Sequence, residues 1–89
     1  MSEMNEAAKK VDERLTPIVR EIGEYESGRK KCDKPTLLLN LLRLRRQELD
    51  TMRDLQRADP SFRPDRMAEG ISNIEREINH LEHSMGLSR

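Results

Sequence analysis

Apolar residues recur along this chain at steps of three and four, and the positions between them are polar almost without exception. The stripe Met67, Ile71, Ile74, Ile78, Leu81, Met85 lines one face of a helix and no face of a strand. Val11, Leu15, Ile18, Ile22 and Tyr25 step in the same way. Between the two lies a leucine-dense segment in which Leu38, Leu41, Leu42, Leu49 and Met52 share one helical face, with Arg45 inside the stripe. A long arginine stem can cover apolar surface while its guanidinium reaches the edge. Helices of this kind must bury their stripes against one another.

Local signals set the boundaries. The spacing predicts a first helix over about 5–26, ended by Gly28 and the basic run after it. Pro17 falls inside it, where a proline costs about 3 kcal/mol, so a kink is expected there, or a helix restarted with Thr16 as its cap. Asp33 as N-cap and Pro35 in the first turn start a second helix, about 33–56. The turn formers of 58–64 make the inter-helix loop, Phe62 is expected to cap the bundle end, and Pro64 opens a third helix over about 64–85. Gly86 stops it, and residues 87–89 are expected to fray. Connections of this length favour antiparallel neighbours, so the fold class is all-α: a single domain over 1–89 forming an antiparallel three-helix bundle.

Composition narrows the function. Charged residues make up 38% of the chain and aromatics only 2%, so packing rests on aliphatic side chains and methionine. Seventeen basic residues balance seventeen acidic ones, which argues against the broad positive field of non-specific nucleic-acid binding. Arg43, Arg45 and Arg46 with Arg29, Lys30, Lys31 and Lys34 could contact phosphates. Glu48, Asp50 and Asp54 on the same helix, and the lack of stacking aromatics, favour a solvated charged face instead. The apolar run 37–44 is interrupted at Asn40 and Arg43 and falls short of the roughly 20 residues a membrane helix needs. The acidic N-terminal stretch lacks the apolar core of a secretory signal. With the single Cys32, which has no internal disulfide partner, this leads us to expect a cytoplasmic protein, or a nuclear one.

Catalysis is not expected. No phosphate loop, nucleophile elbow or Ser/His/Asp grouping occurs. His80 and His83, three apart beside Glu82, lack a convincing third ligand, so neither a metal nor a cofactor is expected. The polar side of the second helix is more informative, because Asn40, Arg43, Gln47, Asp50 and Asp54 step by three and four into a ribbon opposite the leucines. Such a ribbon is the wet side of any amphipathic helix. Mixed charge is also the character of a docking surface with charge complementarity to a partner.

In these residues the chain resembles the BAG domain, the chaperone-regulating module of the athanogene family of co-chaperones. The likeness covers most of the chain. It rests on Asp33-Lys34 before the second helix, Leu38, Leu41 and Leu42, the Glu48-Leu49-Asp50 run with Met52, and Ile71, Ile74, Ile78, Leu81 with Glu82. The resemblance implies a three-helix bundle whose second and third helices bind the ATPase domain of a heat-shock chaperone of the seventy-kilodalton class and promote ADP release. It implies contacts at Asn40 and Asp50 on the second helix and at Arg66 and Glu75 on the third, and the ribbon adds Arg43 and Gln47 to the candidate partner-binding residues. Asp50 matches the family's acidic contact, Asn40 stands where many members carry glutamate, and Glu75 falls at a glutamine. Arg66 lies one residue before a basic position that Met67 occupies, and Arg63 is displaced in the same way. The competing expectation is a coiled-coil oligomerisation or adaptor module, and a homodimer is compatible with either.

Overall fold

A computed structural model describes residues 3–87. It contains α1 (Glu6–Glu26), α2 (Lys34–Ala58) and α3 (Pro64–Ser84), in an antiparallel three-helix bundle with no strand among the described residues. Ser88 and Arg89, where fraying is expected, lie outside the described residues.

Each boundary has a local cause. The side chain of Asn5 accepts the Ala8 N–H at 2.8 Å and caps α1. Gly28 follows with φ 82°, and Lys30 N–H closes on the Glu24 carbonyl at 3.1 Å. Asp33 occupies the N-cap of α2 without a side-chain cap bond, and its carbonyl accepts the Leu37 N–H at 2.9 Å. Arg63 precedes α3 in the left-handed region at φ 41°, and Gly86 ends that helix at φ 74°. Only Gly28 and Gly86 take up this region without Cβ strain.

Pro17 neither restarts the helix nor makes Thr16 a cap. The helix runs unbroken from Glu6 to Glu26, and the Thr16 hydroxyl donates back to the Asp12 carbonyl at 3.1 Å. Pro17 is exposed, on the side of α1 away from Ala8 and Ile22. The carbonyl that loses its proline-side donor, that of Glu13, belongs to an equally exposed residue that water can reach. The second helix extends two residues past its expected end, to Ala58, where Asp59 N–H meets the Leu55 carbonyl at 3.0 Å.

The central helix is α2. Both α1 and α3 pack on it, and they bring no Cα atoms within 8 Å of each other. The result is a flattened body, 43 × 30 × 17 Å. Towards α3 the core is apolar: Leu42, Ile74, Ile78 and Leu81 are buried, with Leu38, Leu41, Leu49, Met52 and Met85 packed around them. A second cluster joins Ala8, Leu55 and Met67, and Met4, Val11, Met52 and Ala58 complete it. With few aromatic rings available, thioethers fill the edges of both clusters. Phe62 is half-buried and belongs to neither; its ring lies 5.4 Å from the Arg63 guanidinium carbon.

Towards α1, α2 turns a different face, with Leu44 at 1% exposure, Glu48, Thr51 and Leu55 at steps of four, three and four. This interface is partly polar. Arg45, with its side chain 18% exposed, donates to Glu48 and to Glu26 of α1, both at 2.9 Å. Burial opposes the guanidinium charge, but the hydrogen bond and charge of Glu48 and the charge of Glu26 outweigh it and raise its pKa above the ordinary value. Its Nε is buried with no partner. The stem therefore covers apolar surface as expected, while the head is tied down inside an ion-pair triad.

Candidate partner-binding face of α2

The side of α2 opposite its two packing faces carries Asn40, Arg43, Gln47 and Asp50, brought together by their steps of three and four. Arg43, Gln47 and Asp50 are exposed and Asn40 is half-buried. Arg43 Nη2 lies 3.5 Å from Asn40 Oδ1 and 3.9 Å from a Glu21 carboxylate oxygen of α1. The Gln47 backbone carbonyl accepts the Thr51 hydroxyl at 2.8 Å.

Around this ribbon the charges are neutralised within the molecule. Arg14 of α1 donates to Asp54 at 3.1 Å, and Arg57 donates to the other oxygen of the same carboxylate. These two hydrogen bonds, that of Arg57 first, hold the Asp54 pKa below the usual carboxylate range. Towards α3, Arg46 donates to Glu82 at 2.8 Å and Arg53 to Glu75 at 2.9 Å. Asp50 sits between Arg46 and Arg53 in sequence and has no hydrogen-bond or ion-pair partner among the described residues. One bare carboxylate thus stands among paired charges.

The two α3 residues do not share one surface. Glu75 is held at the α2–α3 seam by Arg53. Arg66 is exposed and precedes it by nine positions, which at about 100° per residue is two and a half turns. Arg66 therefore lies on the opposite flank of α3, the one where Gly70 receives the Met52 thioether. The one-residue offset from Met67 has a physical origin too, because Met67 is itself buried in the cluster with Ala8 and Leu55.

The seam pairs leave a signal in the sequence that the apolar stripes do not carry. Arg46 and Arg53 ascend by seven positions while their partners Glu82 and Glu75 descend by seven, the register of antiparallel helices. Elsewhere, His80 and His83 are exposed, and no group of three potential metal ligands occurs among the described residues. Among the described residues no helix is long and apolar enough to cross a membrane. Comparison of the chain with known family models, with curated proteins and with solved structures finds no match.

Proposed function

We propose that this chain is a non-enzymatic co-chaperone that binds the ATPase domain of a heat-shock chaperone of the seventy-kilodalton class and promotes ADP release in the cytosol. The observation that carries the reading is Asp50, exposed and unpaired on α2 while Arg46, Arg53 and Asp54 around it are engaged internally. A carboxylate of this kind has no internal bond to break before it meets a partner's cation. Asn40, Arg43 and Gln47 flank it, and the Arg53–Glu75 pair extends the same patch to α3. Arg66, on the far flank of that helix, stands outside the patch.

Such a protein needs no chemistry of its own. It binds the open form of the two-lobed ATPase more tightly than the closed ADP-bound form, and linkage weakens ADP binding by the same amount. A preference of about 3 kcal/mol lowers ADP affinity on the order of 150-fold. Labelled-ADP release from a purified chaperone ATPase domain tests this. Acceleration by the wild-type chain, lost in Asp50→Ala, is expected, because truncating a buried interfacial charge pair commonly costs roughly 2 to 5 kcal/mol of affinity. Asp50→Ala should leave folding stability within about 0.5 kcal/mol of wild type, so loss of exchange would not reflect unfolding. No acceleration at excess protein would remove the proposal.

The second reading, an oligomerisation module, draws on Val19 and Leu39, which stand 47% and 59% exposed. Light scattering that gives a concentration-independent monomer mass would dismiss it.

A further inference from the structure

The basic run after α1 has a role the ribbon does not absorb. At this end of the bundle Glu21 and Glu24 are taken by Lys30, at 3.3 and 3.9 Å, and Glu26 by Arg45 at 2.9 Å, while Asp33, between Lys31 and Lys34, makes no side-chain cap bond. The Glu21 hydrogen bond is the main cause that raises the Lys30 pKa, and the same ammonium lies 5.2 Å from the centre of the Tyr25 ring. Arg20, Arg29, Lys31 and Lys34 are left exposed with no hydrogen-bond or ion-pair partner among the described residues.

Two of these cations converge. Arg20, Gly23 and Ser27 follow one another along one face of α1, and Arg29 folds back so that it lines the same concavity as those three and Glu24. Gly23 forms an open floor, since a Cβ built there would meet nothing within 4 Å. Arg20 is displaced by about 100° around α1 from Glu21, which reaches towards Arg43 and the α2 ribbon. The concavity therefore belongs to a different side of the molecule from Asp50.

The geometry points to a second interaction surface: the Arg20–Arg29 concavity on α1, with Lys31 and Lys34 beside it, receives an aspartate- or glutamate-rich segment of another protein. Two arginines lining one concavity beside an open glycine suit carboxylates, each of which can accept two parallel N–H bonds from a guanidinium fork. A protein segment fits better than a nucleic acid, because the patch is short and offers no free ring for stacking: the Tyr25 face is taken by Lys30. With Asp50 on another side, the chain can bridge two partners.

A hexaglutamate peptide titrated into the whole protein, followed by backbone amide NMR, tests the assignment. Shifts centred on Gly23, Ser27 and Arg29 are expected, with affinity that falls as salt rises. The double variant R20E/R29E should bind at least about tenfold more weakly, whereas K9E/K10E, with the same change in net charge elsewhere on α1, should not. Circular dichroism of both variants separates lost binding from lost folding. Equal weakening by K9E/K10E, shifts centred elsewhere, no binding at millimolar peptide, or tighter binding of a single-stranded RNA oligonucleotide at the same amides would each overturn the proposal.

Discussion

The backbone N–H of Asn5 donates to Asp59 Oδ2 at 3.0 Å, fastening the start of α1 to the end of α2 across 54 positions of sequence. The same asparagine caps α1 through its Oδ1 and donates its Nδ2 to the Ala58 carbonyl at 2.8 Å. Asp59, buried although ionisable, also accepts the Ser61 hydroxyl at 3.0 Å. Replacing Asn5 by alanine removes a cap and a tertiary bond together, and about 1 to 2 kcal/mol of stability should go with them. The urea midpoint of Asn5→Ala checks this; an unchanged midpoint would mean that the cap and the side-chain bond to Ala58 are energetically idle.

The Glu26–Arg45–Glu48 triad should behave asymmetrically. Glu48→Ala leaves Arg45 half-sheltered with one carboxylate and should cost about 1 to 3 kcal/mol, less than a fully buried pair because Glu26 remains and the site is not dry. Replacing both ends, as Arg45→Met with Glu48→Leu, also removes the unpartnered Nε and should recover most of that loss. A thermal melt in which the double variant is no better than Glu48→Ala would refute the account.

Gly23 and Gly70 both occupy helix interiors, where alanine is favoured over glycine by about 1 kcal/mol. Gly23→Ala should gain nearly all of this, since nothing opposes the new methyl. At Gly70 the methyl would lie 3.2 Å from Met52 Cε, the end of a flexible side chain that can swing aside, so the gain should be smaller but of the same sign. Midpoints from guanidinium denaturation rank the two variants.

Asp54 contributes a pH dependence to stability. Its folded-state pKa is depressed by Arg57 and Arg14, so its contribution is complete above the unfolded carboxylate value of about 4 and disappears as pH falls through the lower folded value. The stability difference between wild type and Asp54→Asn should therefore be present at neutral pH and vanish in acid. Added salt should shrink it, because the site is exposed and screened.

Among the three helices, α1 should open first. It buries only Ala8 and Ile22, whereas α3 buries Met67, Ile74, Ile78 and Leu81, and much of its hold on α2 is polar. Amide exchange should be faster across the middle of α1 than across α2 and α3, with the contrast widening in salt. Uniform protection in all three would show a single cooperative unit.

The three stripes were legible because apolar spacing places a residue on a helix face without knowledge of its partner. What a single-stripe reading of α2 missed is that the helix is shared. The leucines at 38, 42 and 49 face α3, while Leu44, Thr51 and Leu55 turn to α1, and Leu44, the least exposed leucine of the chain, falls outside the stripe. Arg45 reads as an amphipathic edge residue because the Glu26 that holds it comes from another helix. A helix restart at Pro17 is not seen because α1 runs on through it, and the carbonyl that loses its donor belongs to the exposed Glu13, where water can reach it. Of the candidate contacts, Asn40, Arg43, Gln47 and Asp50 fall together because one helix fixes their spacing. Arg66 and Glu75 separate, since half a turn between them is invisible when residues are matched one at a time.

The thioethers that close both clusters have a chemical consequence. Met67 is buried within one cluster, Met4 and Met85 border one or the other and Met52 borders both, so peroxide, by turning these apolar sulfurs into polar sulfoxides, would attack the packing of all three helices at once. In such a molecule, oxidant exposure sets a lifetime for the fold itself.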